Sequence, residues 1–344
     1  MKKFICLIIA AVLLFCSVLP AAAAPKTALP LSAGIGALRG QFSSGTAPKT
    51  GGYTLDYRYY SPAGNGDTNK YPLVIFLHGI GHGEREGSQL ADSDMAYWTS
   101  AELQARFTSG GAYILLPRSP ENLNIFWGDT LVEPLRALID DFIKKNPNVD
   151  TTRIAISGSS QGGAMVWKML DAYPQYFSAA FPIASTEMPL PTTVSKASGT
   201  AFWLIASTKD PVVNYTLSTL PVWNMICNNN DNPGNCRLTS FGTVYNPDGS
   251  RSSDNHHLAG VITFDLHTIN DGNFSGVTTV NGYGQTVDIS APNGLIRWIS
   301  SVRSNFKGPG ESKPSGLNPL AVFIDTVRNF FLEIVHIVQV ILGL

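Results

Sequence analysis

Short, wholly apolar runs alternate along this chain with longer stretches in which apolar residues recur at helical spacing. From Tyr53 to Tyr60 aromatic and polar positions alternate, which predicts an early antiparallel strand. Residues 62–69 read as a Gly/Asn turn. Leu73 to Leu77 is apolar at every position, as expected of a strand covered on both faces. Similar runs at Tyr113–Leu116, Arg153–Ile156, Ala179–Ile183 and Ala201–Ile205 predict further strands, and Arg237–Tyr245 a last core strand. Between them, the stretch from Leu131 to Lys145 places Leu131, Leu135, Leu138, Ile139 and Phe142 on one helical face. Gly163 to Tyr173 predicts a second helix, and Asn293 to Val302 one that closes the domain. Residues 267–290, dense in Gly, Asn, Thr and Val, predict an inserted hairpin or long loop. Strands alternating with helices imply an α/β class with a mostly parallel central sheet and helices on both faces.

The two ends break this rhythm. Lys2 and Lys3 precede an apolar run from Phe4 to Leu19, then Pro20 and four alanines, the order of a secretory signal peptide. Cleavage after Ala23 is expected, since cleavage after Ala24 leaves Pro25 at the new terminus. Residues 1–23 are therefore read as a signal, 24–51 as a leader or linker, and 52–306 as the main domain. Gly308-Pro309-Gly310 and Lys313-Pro314-Ser315-Gly316 mark a linker over 307–318. Residues 319–344 predict a separate amphipathic helix, with Asp325, Asn329, Glu333, His336 and Gln339 on a narrow polar stripe.

Composition narrows the classes. With 44% hydrophobic and 14% charged residues, the chain is too apolar for disorder. A formal net charge of −1 and no long basic run argue against nucleic acid as a partner. Export leaves Cys227 and Cys236 of the four cysteines, and an even pair in an oxidising compartment predicts a disulfide.

The chemistry centres on Gly158-Ser159-Ser160-Gln161-Gly162, a G-x-S-x-G pattern between an apolar strand and a helix. A sharp strand-to-helix turn there would lift the Ser160 hydroxyl above the sheet. A serine hydroxyl attacks only if a base takes its proton, so an acid and then a histidine should follow. Asp210, in the loop after Ala201–Ile205, is the candidate acid, and Asp171 within the following helix is a poorer one. His256, His257 and His267 all follow Asp210, with the adjacent pair better placed after the last core strand. Acyl transfer also needs donors for an oxyanion. The expected ones are the backbone N–H groups of Gln161 and of Ile80, in the loop His78-Gly79-Ile80-Gly81-His82-Gly83. His78 precedes the nucleophile and is read as structural, and His82, Glu84 and Arg85 as candidate pocket residues.

These segments resemble secreted esterases of the α/β-hydrolase superfamily, above all prolyl-oligopeptidase-like and polyhydroxybutyrate-depolymerase-like proteins. The resemblance rests on Pro72 to Gly83, Leu116 to Pro120 with Trp127, Val149 to Gly163 and Phe202 to Val213, in that order. Relatives of this kind usually carry a Trp three residues beyond the catalytic His, where this chain has Gly260 after His257. The register still puts Phe264 where an aromatic is usual, and on that ground the resemblance selects His257 over His256.

What the resemblance implies is an α/β-hydrolase with Ser160, Asp210 and His257 as a triad, working without metal or organic cofactor. Carboxylic esters are the expected substrates, as small molecules or as acetyl or feruloyl groups on polysaccharide. A peptidase, or a non-catalytic surface-binding protein on the same scaffold, is the alternative. The expected location is extracellular. The tail helix is expected to attach the enzyme to a membrane surface or to a second copy, with docking on its own domain as the plainer alternative.

Overall fold

The computed structural model describes residues 34–64, 67–80, 92–120, 127–243, 256–258, 276–289 and 294–305. Among these, nine strands form one sheet: β1 (Ser43–Thr46), β2 (Asp56–Tyr60), β3 (Tyr71–Leu77), β4 (Tyr113–Pro117), β5 (Val149–Ser159), β6 (Ala179–Ile183), β7 (Ala201–Ser207), β8 (Arg237–Phe241) and β9 (Val277–Asn281). Their order is β1-β2-β4-β3-β5-β6-β7-β8-β9. The six central strands from β4 to β8 pair in parallel, while β1 with β2, β2 with β4, and β8 with β9 pair antiparallel. The helices are α1 (Ile35–Arg39), α2 (Ala101–Gln104), α3 (Val132–Lys145), α4 (Gln161–Ala172), α5 (Pro191–Lys196), α6 (Leu220–Asn229) and α7 (Leu295–Ser301).

The sheet is covered on both faces because its strands are apolar on both. Side chains alternate across a strand, and β3 shows the result: all seven of its residues are buried. Leu73, Ile75 and Leu77 join one core with Leu135, Leu138, Ile139 and Phe142 of α3 and Met165, Met169 and Leu170 of α4. Val74 and Phe76 join the other, with Leu38, Trp98 and Leu295, Ile296 and Ile299 of α7. Arg136 fastens α3 to the chain after α4, lying 3.9 Å over the Tyr176 ring while Tyr176 donates to Asp140 at 2.8 Å.

The strand order decides where chemistry can sit. Chain connections leave β3 toward β4 on one side and reach β5 on the other, so the sheet's order reverses at this strand. In open parallel sheets such a reversal opens a crevice beyond the carboxyl ends of the strands. The residues after Leu77 and after Ser159 meet there.

Two expectations need correction. Residues 35–47, expected to belong to a linker, instead supply α1 and edge strand β1. Their small polar composition hides three apolar anchors, Leu38, Phe42 and Ala47, all buried. Cys227 and Cys236 are free thiols, so the expected disulfide is not formed. Cys227 lies on α6, whereas Cys236 is sunk in the core at the entry to β8, its Sγ within 3.9 Å of the Asn232 carbonyl. Burial pushes the Cys236 thiol up to about 12.

The expected signal peptide, the 307–318 linker and the tail helix lie outside the described residues. Among the described residues no helix is long and apolar enough to cross a membrane.

Candidate active site

The turn from β5 into α4 is built around Ser160, which takes φ 52° and ψ −114°. A non-glycine residue in that region carries strain on the order of 1–3 kcal/mol, held in place by its surroundings. Here the surroundings are backbone. The Ser160 N–H donates to the Ile183 carbonyl at 2.9 Å, and the Ser160 carbonyl accepts from Ala164 at 3.1 Å and Thr186 at 3.3 Å. The flanking glycines are demanded by space. A Cβ on Gly162 would lie 1.9 Å from the Leu77 carbonyl oxygen, and one on Gly158 2.4 Å from the Gly162 carbonyl carbon. The turn can therefore sit against β3 only without side chains at both positions.

Asp210 follows the end of β7 and is almost fully buried, its side chain 1% exposed. Its Oδ1 accepts from the backbone N–H groups of Val212 and Val213, each at 2.8 Å. Its Oδ2 accepts from His257 Nδ1 at 2.9 Å. On the other side of the ring, His257 Nε2 lies 3.0 Å from Ser160 Oγ. The chain Ser160–His257–Asp210 is thus continuous across 97 residues of sequence. With Nδ1–H committed to the carboxylate, the neutral ring presents an unprotonated Nε2 to the serine hydroxyl.

His256 points elsewhere. Its Nδ1 is 2.6 Å from Ser207 Oγ, at the last residue of β7. Ser207 donates to the Phe241 carbonyl at 3.1 Å and accepts from the Lys209 N–H at 3.1 Å, which leaves a lone pair for a His256 N–H. The short 3₁₀ turn His256–Leu258 is thereby tied to the sheet edge beside Asp210.

The loop after β3 approaches the same point. A Cβ on Gly79 would lie 3.6 Å from the Ser160 Cβ, so the two turns are in contact. His78 is completely buried; its Nδ1–H donates to the Gly79 carbonyl at 2.8 Å and its Nε2 accepts from the Ser119 N–H at 3.1 Å. Trp127 closes the arrangement, donating to the His78 carbonyl at 2.8 Å. In a planar trans peptide the N–H opposes the C=O. Holding the Gly79 carbonyl toward His78 therefore turns the Ile80 N–H away from that ring. Gln161 is the first residue of α4, and the first N–H groups of a helix have no partner within it.

Of the residues expected from sequence, Ser160, Asp210 and His257 come together, with Ile80 and Gln161 flanking them. Asp171 does not join them: it lies on α4 and binds Thr193 and Lys196 of α5. His82, Glu84, Arg85, His267 and His336 lie outside the described residues. Sequence reasoning missed the Ser207–His256 tie and the support of His78 by Ser119. Neither follows from spacing, since each joins strand ends far apart in the chain.

Residues 129–264, less than half of the chain, match a family model described as Phospholipase/Carboxylesterase. Comparison with curated protein sequences yields no match. Among solved structures, a thermostable esterase is 24% identical with a TM-score of 0.55, over 67% of this chain and 61% of that one. Esterase 2 of Thermogutta terrifontis is 14% identical with a TM-score of 0.46, over 66% of this chain and 92% of that one. An acylaminoacyl peptidase of Pyrococcus horikoshii is 16% identical with a TM-score of 0.39, over 54% of this chain and 35% of that one. The chain thus spans less than two thirds of the thermostable esterase it matches. The architecture is the α/β-hydrolase fold: a mostly parallel mixed sheet flanked by helices.

Proposed function

We propose that this chain is a serine hydrolase cleaving carboxylic esters, with Ser160 as nucleophile, His257 as general base and Asp210 as the acid that orients it. The observation that carries this reading is the unbroken hydrogen-bonded relay, 3.0 Å from Ser160 Oγ to His257 and 2.9 Å from His257 to Asp210, on a strained turn. The match to a Phospholipase/Carboxylesterase family model favours esters over amides.

In the reaction, Ser160 Oγ attacks the ester carbonyl as its proton passes to His257 Nε2. The carbonyl electron pair becomes an oxyanion, stabilised by the N–H groups of Ile80 and Gln161. The C–O bond to the alcohol then breaks, and His257 gives its proton to the leaving oxygen. Water repeats the sequence on the acyl-enzyme, releasing the acid and returning the proton to Ser160. Asp210 holds the ring and stabilises the imidazolium formed in each half. Acetyl, feruloyl and short acyl esters, free or on polysaccharide, are the substrates favoured by the sequence resemblance. The amino-terminal pattern supports export, and the apolar tail supports attachment to a membrane surface or a second copy.

A fluorophosphonate probe tests the reading. It should label Ser160, Ser160→Ala should abolish labelling, and ester turnover should fall by about 10⁴-fold or more. Unlabelled protein without esterase activity would make the fold a non-catalytic scaffold. Faster cleavage of peptide anilides than of p-nitrophenyl esters would make it a peptidase.

A further inference from the structure

Lys168 lies on α4, roughly two helical turns past Ser160, and its side chain is 12% exposed. Its ammonium is 3.0 Å from Asp129 Oδ1 and 3.0 Å from Glu187 Oε2. Burial lowers the pKa of this ammonium, but Glu187 and then Asp129 raise it by more, so it ends above the ordinary lysine value and stays charged. The two carboxylates come from opposite sides of the site. In the sheet β4 flanks β3, and β6 flanks β5. Asp129 belongs to the segment between β4 and α3, and Glu187 to the one that leaves β6. Between them lie the ends of β3 and β5, which carry Ile80 and Ser160.

Each carboxylate stands next to a bond that holds the site. Just before Asp129, Trp127 donates to the His78 carbonyl at 2.8 Å, at the root of the loop that presents the Ile80 N–H. Just before Glu187, the Thr186 N–H donates to the Ser160 carbonyl at 3.3 Å. That second bond follows Ala184, which with Ser160 makes up the non-glycine residues of positive φ among the described residues. Backbone in this region persists only where its surroundings hold it. The ion pair at Glu187 supplies such a hold beyond Thr186. A buried ion pair is weak evidence for stability, because apolar side chains of the same size do as well. An ammonium between two carboxylates does, however, keep both at hydrogen-bond distance. The reaction needs that constancy, since the nucleophile and an oxyanion donor sit on different strand ends and a shift of about 1 Å can cost about 100-fold in rate.

We infer that Lys168 is a positioning residue that holds the oxyanion loop and the nucleophile turn at one spacing, through Asp129 on one side and Glu187 on the other. The inference rests on the hydrolase reading and adds to it a residue outside the triad that sets its rate.

The test uses the full chain and a p-nitrophenyl ester, well below the melting temperature of each variant. Lys168→Met, which keeps the stem and removes the charge, should lower kcat by about 10–100-fold and leave KM within about twofold. Asp129→Ala and Glu187→Ala cut one arm each, should lower kcat less, and carry the test if Lys168→Met fails to fold. Lys196→Met is the control, because it removes an exposed pair with Asp171 that touches neither wall. A folded Lys168→Met protein with wild-type kcat, a loss carried by KM, or an equal loss in the control would overturn the inference. Hydrogen exchange read by ¹⁵N NMR follows the two walls without turnover. Lys168→Met should speed exchange at both the Trp127 indole N–H and the Thr186 amide by about tenfold or more. Asp129→Ala should speed only the first, and Glu187→Ala only the second. Unchanged rates, or the same rise at both sites from either arm, would also overturn it. A wild-type protein that takes no fluorophosphonate and cleaves no ester would end the hydrolase reading, and the exchange pattern alone would then decide whether Lys168 holds the two walls.

Discussion

Replacing Asp210 by Asn separates the two tasks this carboxylate performs. Its Oδ1 accepts from the N–H groups of Val212 and Val213 at 2.8 Å each, so an amide must put its oxygen there and its NH₂ where Oδ2 was. That NH₂ then faces His257 Nδ1, which in the native protein is 2.9 Å from Oδ2. Two donors cannot face each other, so the ring takes the Nε2–H tautomer. Nε2, at 3.0 Å from Ser160 Oγ, can no longer accept the serine proton. The loss should be about 10⁴-fold in kcat, or about 5.4 kcal/mol at 1.36 kcal/mol per decade. Stability should hardly change, because both backbone bonds survive. Asp210→Ala removes them as well, and leaving two N–H groups without a partner should cost about 1–3 kcal/mol for each that stays dry. Steady-state hydrolysis of a p-nitrophenyl ester and thermal melts of both variants make the comparison. An Asn variant within tenfold of wild-type kcat, or an Ala variant as stable as the Asn one, would refute the reasoning.

His257→Ala should match the loss of Ser160→Ala, whereas His256→Ala should cost far less, because His256 binds Ser207 and does not face the nucleophile; kcat for each variant decides, and the reverse ranking would move the base. Gly162→Ala should fold poorly or melt several degrees lower, since its Cβ would lie 1.9 Å from the Leu77 carbonyl oxygen; an unchanged melting temperature would show that the turn can yield. At pH 8 neither Cys227 nor Cys236 should alkylate readily in native protein, because burial raises both thiols and the anion is the reactive form. In guanidinium chloride both should be labelled, and peptide mapping that instead recovers a linked pair would show a disulfide.

The central strands were legible because a strand buried on both faces needs an unbroken apolar run, and few other elements produce one so short. Leu73–Leu77 and Ala201–Ile205 each lie within the strand found, extended by a residue or two. The elbow was legible because backbone crowding excludes any side chain at Gly158 and Gly162, which writes two glycines around Ser160. The entry to the domain was not. Residues 35–47 look like a linker by composition, with three scattered buried apolar side chains, and the pairing of β1 with β2 that also holds them leaves no mark in the sequence. Helix α6 was not legible because it buries only Val222, Trp223 and Ile226, too few positions to write a helical period before the polar run from Asn228. The base could be narrowed to two adjacent histidines from sequence, since both follow the last core strand. Between the neighbours, the resemblance takes His257 by the register of Phe264; in the structure the two rings part because His256 meets Ser207 on β7 and His257 meets Asp210 in the loop beyond it.

That division of labour has a consequence for how the site fails. Ser160 and Asp210 are pinned by backbone hydrogen bonds at the ends of core strands, and losing them means opening the sheet. Among the described residues, His256 and His257 tie their three-residue turn to the sheet edge through side-chain bonds to Ser207, Asp210 and Ser160. Each such bond contributes about 1 kcal/mol, set against about 5–15 kcal/mol for unfolding a whole domain. Catalytic competence then has an opening equilibrium of its own, cheaper than the global one. In a urea titration, hydrolysis should fade while Trp98, Trp127 and Trp203, all buried in the core, still report a folded protein. Heat or denaturant would silence the proposed activity before unfolding the domain, and its return on dilution would be as fast as one turn finding the sheet edge again.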